Sequence, residues 1–359
     1  MFKKFNSILL FIVLLVTLCG CNGKGDIKDA RNTSAVTEAG SNGDAAKASD
    51  ADAIVKASEN NSEEKIHVRV ASLKGPTTMG LVNLMSKSGA NETKLDYEFS
   101  METQPDQVAG LVVSGEADIA LVPANLAAVL YNKTKGQIEV IDINTLGVLY
   151  CVTGDESVKN IKDLSGKTVI LTGQGASPEY VLKYLLEENG ITDCNMEFKS
   201  EATEIAAILN EDKNAVAILP QPFVTVATKK NNEIKVAFSL TDEWNEVNSE
   251  SELLTGVTIV RKDFAEKYPE AVSDFINDHK ESTELCDKNV GNTALLVAEY
   301  GIIEKKEIAE AALPYCNIVC ITNDEMEKAL SGYLEVLYDA DKSSVGGNLP
   351  GEDFYYKAK

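Results

Sequence analysis

Four short stretches hold the residue types that grip a small molecule without reacting with it. Lys74-Gly75-Pro76-Thr77-Thr78 offers an ammonium, two hydroxyls and an open glycine backbone. Pro123-Ala124-Asn125 offers a carboxamide, Gly173-Gln174-Gly175-Ala176-Ser177 a hydroxyl and free N–H groups, and Pro220-Gln221-Pro222 a second carboxamide. Each follows a short apolar run and opens a helical one. In open α/β sheets the loops leaving the carboxyl ends of strands form a crevice. Helix N-termini there present unpaired N–H groups and a partial positive charge. The candidate ligand contacts are therefore Lys74, Gly75, Thr77, Thr78, Asn125, Gly175, Ala176, Ser177 and Gln221, with the third loop weighted most. Thr77 and Thr78 also have a plainer reading as helix caps. Gly173-x-Gly175 is not a dinucleotide fingerprint, because Pro178 stands where the last glycine belongs.

The chemistry that is missing narrows the reading further. Histidine occurs only at 67 and 279, and arginine only at 31, 69 and 261. No nucleophile–base pair, cofactor motif or metal-ligand spacing stands out, so no catalytic residue, cofactor or metal is expected. Arginine forks are the usual clamp for carboxylate, sulfonate or phosphate, and none of the four loops has one. Lys74 is their only cation, and Glu179 follows the third. This argues against a bidentate clamp on a sulfonate or carboxylate and makes a neutral or weakly basic organic solute at least an equal expectation. Tyr180, Phe223 and Trp244 either stack on it or pack in the core.

Strand and helix patterns alternate with short connections, which predicts an α/β protein with mostly parallel sheets. Strands are expected at 67–73, 95–100, 117–122 and 138–143, then at 147–153, 167–171, 195–199, 215–219 and 234–240. The two series share one plan: strand, breaker, helix, strand, helix, short strand ending in proline, helix, strand. Ala117-Asp118-Ile119-Ala120-Leu121-Val122-Pro123 and Ala215-Val216-Ala217-Ile218-Leu219-Pro220 are its clearest parallel. Two lobes are the natural outcome. A strand at 255–260 follows, then Phe264, Tyr268, Val272 and Phe275 at helical spacing, more helix to Tyr338, and an irregular tail over 343–356.

Several segments resemble extracytoplasmic solute-binding proteins of ABC importers, in the nitrate/sulfonate/taurine and thiamine-precursor class. They are the Lys74-Gly75-Pro76-Thr77 opening, Ser114-Gly115-Glu116-Ala117-Asp118-Ile119-Ala120, Ile161-Lys162-Asp163-Leu164-Ser165-Gly166-Lys167-Thr168-Val169, and Gly256 to Phe264 followed by Tyr268-Pro269-Glu270. The resemblance covers roughly 67–345. It implies a two-lobed, type II periplasmic-binding-protein fold. The first lobe would take 65–149 and the return 258–359 with its C-terminal helices, and the second 150–257. The crossings would fall at 147–153 and 255–260. It also implies capture of a small-molecule solute, hinge closure, and delivery to ABC permease subunits by a monomer. The alternatives are a surface sensor without transport and, less favoured, an enzyme on the same fold.

The N-terminus agrees with an extracytoplasmic site. Lys3 and Lys4 precede an apolar run over 8–18, ending in Leu18-Cys19-Gly20-Cys21, which reads as a signal over 1–20. The tetrapeptide resembles the bacterial lipobox and implies a lipid on Cys21, anchoring the chain to the outer face of the cell membrane. The run is short of the roughly 20 residues a span needs. Residues 21–64 carry no aromatic side chain and are expected to be a disordered tether. The formal net charge of −22, with no basic cluster, argues against nucleic acid. Five further cysteines, at 151, 194, 286, 316 and 320, allow at most two disulfides, and buried free thiols are the favoured reading.

Overall fold

The computed structural model describes residues 65–357. The signal, Cys21 and the tether lie outside the described residues. Among those described, no helix is long and apolar enough to cross a membrane. The first series runs β1 (His67–Leu73), α1 (Pro76–Met79), α2 (Val82–Gly89), β2 (Asp96–Glu102), α3 (Pro105–Ser114), β3 (Ile119–Pro123), α4 (Ala124–Thr134) and β4 (Ile138–Leu146). The second runs β5 (Leu149–Thr153), β6 (Thr168–Leu171), α5 (Ser177–Glu188), β7 (Asn195–Phe198), α6 (Ala202–Glu211), β8 (Val216–Pro220), α7 (Phe223–Lys230), β9 (Lys235–Ser239) and α8 (Leu240–Val247). The return comprises β10 (Leu254–Arg261), α9 (Lys262–Lys267), α10 (Pro269–Lys288), α11 (Val290–Glu299), α12 (Lys306–Ala312), β11 (Ile318–Ile321) and α13 (Asn323–Ala340).

The strands form two sheets, ordered β11-β4-β10-β3-β1-β2 and β7-β6-β8-β5-β9. Read from the other edge, the first contains β2-β1-β3-β10-β4, so the two share one plan. Each has three parallel strands from βαβ units, then one antiparallel strand, then a last strand. The antiparallel strand lies beside a crossing in each case: β5, which opens the second series, in the second sheet, and β10, which follows that series, in the first. The remaining strands run one way, β2, β1, β3 and β4 in the first sheet and β7, β6, β8 and β9 in the second, so the sheets are mostly parallel as expected, with β10, the edge strand β11 and β5 running against their neighbours.

The second crossing is corrected. β10 lies wholly in the first sheet, between β3 and β4. Val257 to Val260 are buried on both faces, as a central strand requires. The lobes are joined at Gly147-Val148 and through 248–253. β11, in a region expected to be helical, is a short edge strand of β-branched Ile318, Val319 and Ile321.

Helix α13 packs on both lobes. Tyr333 lies 5.8 Å from Trp244 of α8, and Trp244 4.8 Å from Tyr184 of α5. One hydrophobic cluster runs from the first sheet through Leu330, Tyr333 and Leu337 to Leu182 and Leu185 of the second lobe. After α13, Asn132 of α4 donates to the Val345 and Asn348 carbonyls at 2.8 and 2.7 Å, which pins the irregular tail to the first lobe. All five described cysteines are free thiols, with Cys151, Cys286 and Cys316 buried.

Candidate functional site

A cavity of about 550 Å³ lies between the lobes, at the ends of β3, β8 and β6. The first lobe supplies Pro105 and Asp106 at the start of α3, Pro123, and one face of α4 made by Asn125, Leu126, Val129 and Lys133. Spacing of three and four puts those side chains on a single helix face. The second lobe supplies Gln174 to Pro178, Val181 of α5, and Pro220. Val148 and Leu149 at one crossing, Leu253 to Thr255 at the other, and Ser343 and Ser344 of the tail complete the wall.

The third loop is shaped by its glycines. Gly173 and Gly175 have φ of 81° and 72°, a region glycine occupies without strain. The Ala176 N–H returns to the Gly173 carbonyl at 3.0 Å. This tight turn puts Ser177 at the start of α5 and explains the Gly-x-Gly spacing without a phosphate. The Gly175 N–H donates to the Glu179 carboxylate at 2.6 Å, and Lys183 pairs with that carboxylate from one turn on. Burial raises the Glu179 pKa, but the Lys183 ammonium and the Gly175 N–H outweigh it and hold the group below its ordinary 4.5.

Ser177 also reaches across the cleft. Its hydroxyl donates to Asn125 Oδ1 at 3.0 Å, and Asn125 Nδ2 donates to the Ser344 carbonyl at 3.2 Å. One buried carboxamide thereby ties the second lobe, the first lobe and the tail. Near the hinge, the Tyr150 hydroxyl donates to the Tyr315 carbonyl at 3.2 Å, and Asn317 donates to the Gly147 carbonyl.

Of the residues singled out in the sequence, Asn125, Gly175, Ala176 and Ser177 line this cavity, and Lys74, Gly75, Thr77, Thr78 and Gln221 do not. Thr77 donates to the Leu73 carbonyl at 2.8 Å; Thr78 donates to the same carbonyl at 2.6 Å, with the Ser72 hydroxyl 2.8 Å away. Both hydroxyls close the turn after β1. Lys74 is exposed. The Gln221 amide oxygen accepts from the N–H and hydroxyl of Thr225 at 3.3 and 2.9 Å, so it caps α7. Neither Tyr180 nor Phe223 nor Trp244 lines the cavity. Trp244 is fully buried and donates to Ser251. Asp106, Lys133, Leu253 to Thr255 and the tail serines were not foreseen. The spacing of α4 could have revealed Lys133, while no local signal marks the tail.

The two described arginines sit at the far end of the first sheet. Arg69 grips the buried Asp118 carboxylate through Nε and Nη2 at 2.9 and 2.6 Å, and Arg261 approaches it at 3.5 Å. They fasten β1, β3 and β10 at the ends remote from the cavity.

Comparison with solved structures shows the same fold. An ABC transporter protein from Parabacteroides distasonis superposes with a TM-score of 0.69 at 21% identity, covering 82% of this chain and 100% of that one. The periplasmic aliphatic sulphonate binding protein SsuA from Escherichia coli gives 0.64 at 13% identity, covering 77% and 93%. The alkanesulfonate-binding protein SsuA from Xanthomonas axonopodis pv. citri, bound to MOPS, gives 0.60 at 12%, covering 80% and 96%. No curated protein sequence matches the chain. The NMT1/THI5 like family model matches residues 91–289, more than half of the sequence and a span reaching from just before β2 through both crossings to the end of α10, and the chain belongs to that family.

Proposed function

We propose that this protein is the solute-capturing component of an ABC importer, lipid-anchored through Cys21 on the outer face of the membrane, and that its solute is a compact, uncharged, largely aliphatic organic molecule. It performs no catalysis. Solute enters the cleft, the lobes close on it, and the closed form docks on the permease. Only contacts made better in the closed state favour closure, so the faces of α4 and α5 matter equally.

The observation that carries the choice of solute is the occupied N–H of Gly175. In an oxyanion site that donor and the start of α5 would point at the ligand; here the Glu179 carboxylate holds it. Asp106 adds a second carboxylate at the rim, Lys133 is the only cation on the wall, and no arginine is present. Leu126, Val129, Val148, Leu149, Val181, Leu253 and Leu254 make the aliphatic part of the wall, and Asn125, Gln174, Ser177, Thr255, Ser343 and Ser344 add uncharged polar groups. An apolar pocket with a few convergent polar groups suits a small organic ligand. The solved sulphonate binders share the fold, but this donor arrangement favours a different ligand class.

The test is a thermal-shift screen with sulfonates, nitrate, bicarbonate, neutral heterocycles, vitamins, amino acids and aliphatic amides or alcohols. A ligand of the folded state raises Tm by mass action. Uncharged solutes are expected to raise it, and Val129→Trp, which fills the cavity, to abolish the shift. A shift produced by sulfonates alone would refute the solute class, and one that survives Val129→Trp would refute the site.

A further inference from the structure

Away from the cleft, three potential metal ligands converge between the first sheet and the helix packed on it. Asp142 of β4, His279 of α10 and Cys320 of β11 place a carboxylate oxygen, a ring nitrogen and a thiol sulfur within 4.8 Å of one another. Asp142 and His279 are fully buried. A carboxylate at that depth is costly unless strongly compensated. Its Oδ1 accepts from the Thr258 hydroxyl of β10 at 2.7 Å, and its Oδ2 lies 3.1 Å from His279 Nδ1. The ring makes no other polar contact, since His279 Nε2 is buried without a partner. The Cys320 thiol donates weakly to the Ile276 carbonyl, 4.0 Å away.

We infer that Asp142, His279 and Cys320 form a zinc site of the first lobe, independent of the solute cleft. Thiolate, imidazole and carboxylate together suit this borderline-soft cation. Metal–oxygen and metal–nitrogen bonds of about 2.0 Å set at the tetrahedral angle put two such ligand atoms about 3.3 Å apart, and the carboxylate–imidazole separation is close to this. The sulfur, on its longer bond, would sit about 3.5 Å from each, which a modest rotation of the Cys320 side chain achieves. The Thr258 hydroxyl, donating to the outer oxygen of Asp142, fixes the orientation of that carboxylate. Cys320 is partly exposed, so ion and water reach the site from its side, and the thiol proton leaves the same way. The ion would bind α10 and β11 to β4, the strand that leads into the Gly147 crossing.

Cobalt(II) is the direct probe, because its thiolate complexes absorb by charge transfer. Titration of the metal-free protein is expected to give a thiolate-to-cobalt band that saturates at one equivalent and is displaced by zinc. Cys320→Ala should abolish the band and Cys194→Ala, at the other partly exposed thiol, should leave it. His279→Gln should weaken cobalt binding by more than about tenfold, the loss that even an outer-shell partner can cause. Absence of the band in the wild-type protein, or a band that survives Cys320→Ala, would overturn the assignment. Neither outcome depends on the solute, so this site and the cleft are tested separately.

Discussion

The hydrogen bond from Ser177 to Asn125 is the sharpest test of how the lobes close. A neutral hydrogen bond contributes about 1 kcal/mol net, and a buried acceptor left without a donor costs about 1–3 kcal/mol. Asn125 is 8% exposed, and an open cleft would let water reach its Oδ1. The penalty of Ser177→Ala therefore falls on the closed state, at about 1–2 kcal/mol, which lowers the closed-to-open ratio roughly 5- to 30-fold. Distances between spin labels on noncanonical residues at 113 and 236 would report this. Val113 of α3 and Val236 of β9 are exposed on opposite lobes, and the native thiols stay untouched. The long-distance population of the solute-free protein should grow in Ser177→Ala. A double-mutant cycle with Asn125→Ala should return a coupling near 1 kcal/mol. An unchanged distance distribution together with a coupling below about 0.3 kcal/mol would show that the contact does not hold the lobes together.

Other perturbations have equally definite outcomes. Asp118→Ala leaves the Arg69 guanidinium without its carboxylate, while Arg261 keeps Asp263 at 3.1 Å, and should lower unfolding free energy by about 3 kcal/mol in urea, the low end for breaking a buried pair because both arginines are partly solvated. Tyr333→Phe should be neutral or stabilising by up to about 1 kcal/mol, because the buried hydroxyl, though it lies toward Ser177, makes no hydrogen bond; a clear loss of stability would contradict this. A Cβ at Gly147 would meet the Thr241 hydroxyl and the Leu253 side chain, so Gly147→Ala should cost about 1–3 kcal/mol by thermal denaturation and widen the distances between lobes. Glu179 titrates below its ordinary 4.5. Its stabilisation of the third loop is thus fully present above about pH 4.5 and lost as pH falls through the lower folded value. Hydrogen exchange at Gly175 should speed up, relative to its intrinsic rate, across that acidic window in the wild type and not in Glu179→Gln.

The duplicated strand–helix plan was legible because its marks are local. Pro76, Pro105, Pro123, Pro178, Pro220 and Pro222 stand at helix starts or strand ends, and short β-branched runs separate them. The placement of β10 was not legible, since a short β-branched run such as Thr255 to Val260 reads the same whether it crosses between sheets or lies buried inside one. The rule for strand ends found the Asn125 and Gly175 to Ser177 parts of the cavity. It missed the start of α3, the rest of the α4 face and the crossing at Val148-Leu149, and also Leu253 to Thr255 and Ser343-Ser344, which tertiary packing brings there. Gln221 and the two threonines misled because an amide or hydroxyl at a helix start serves equally as a cap, and the deciding partners, Thr225 and the Leu73 carbonyl, sit within a turn of them.

The return of β10 into the first sheet has a consequence for how the chain is made. Until Leu254–Arg261 leaves the ribosome, β3 and β4 each present a bare inner edge, the kind of edge that recruits other chains. The first lobe, though translated first, must wait for more than a hundred further residues before its sheet can close. Fragments cut between the lobes should therefore remain insoluble when expressed singly, and recover only when both halves are produced together.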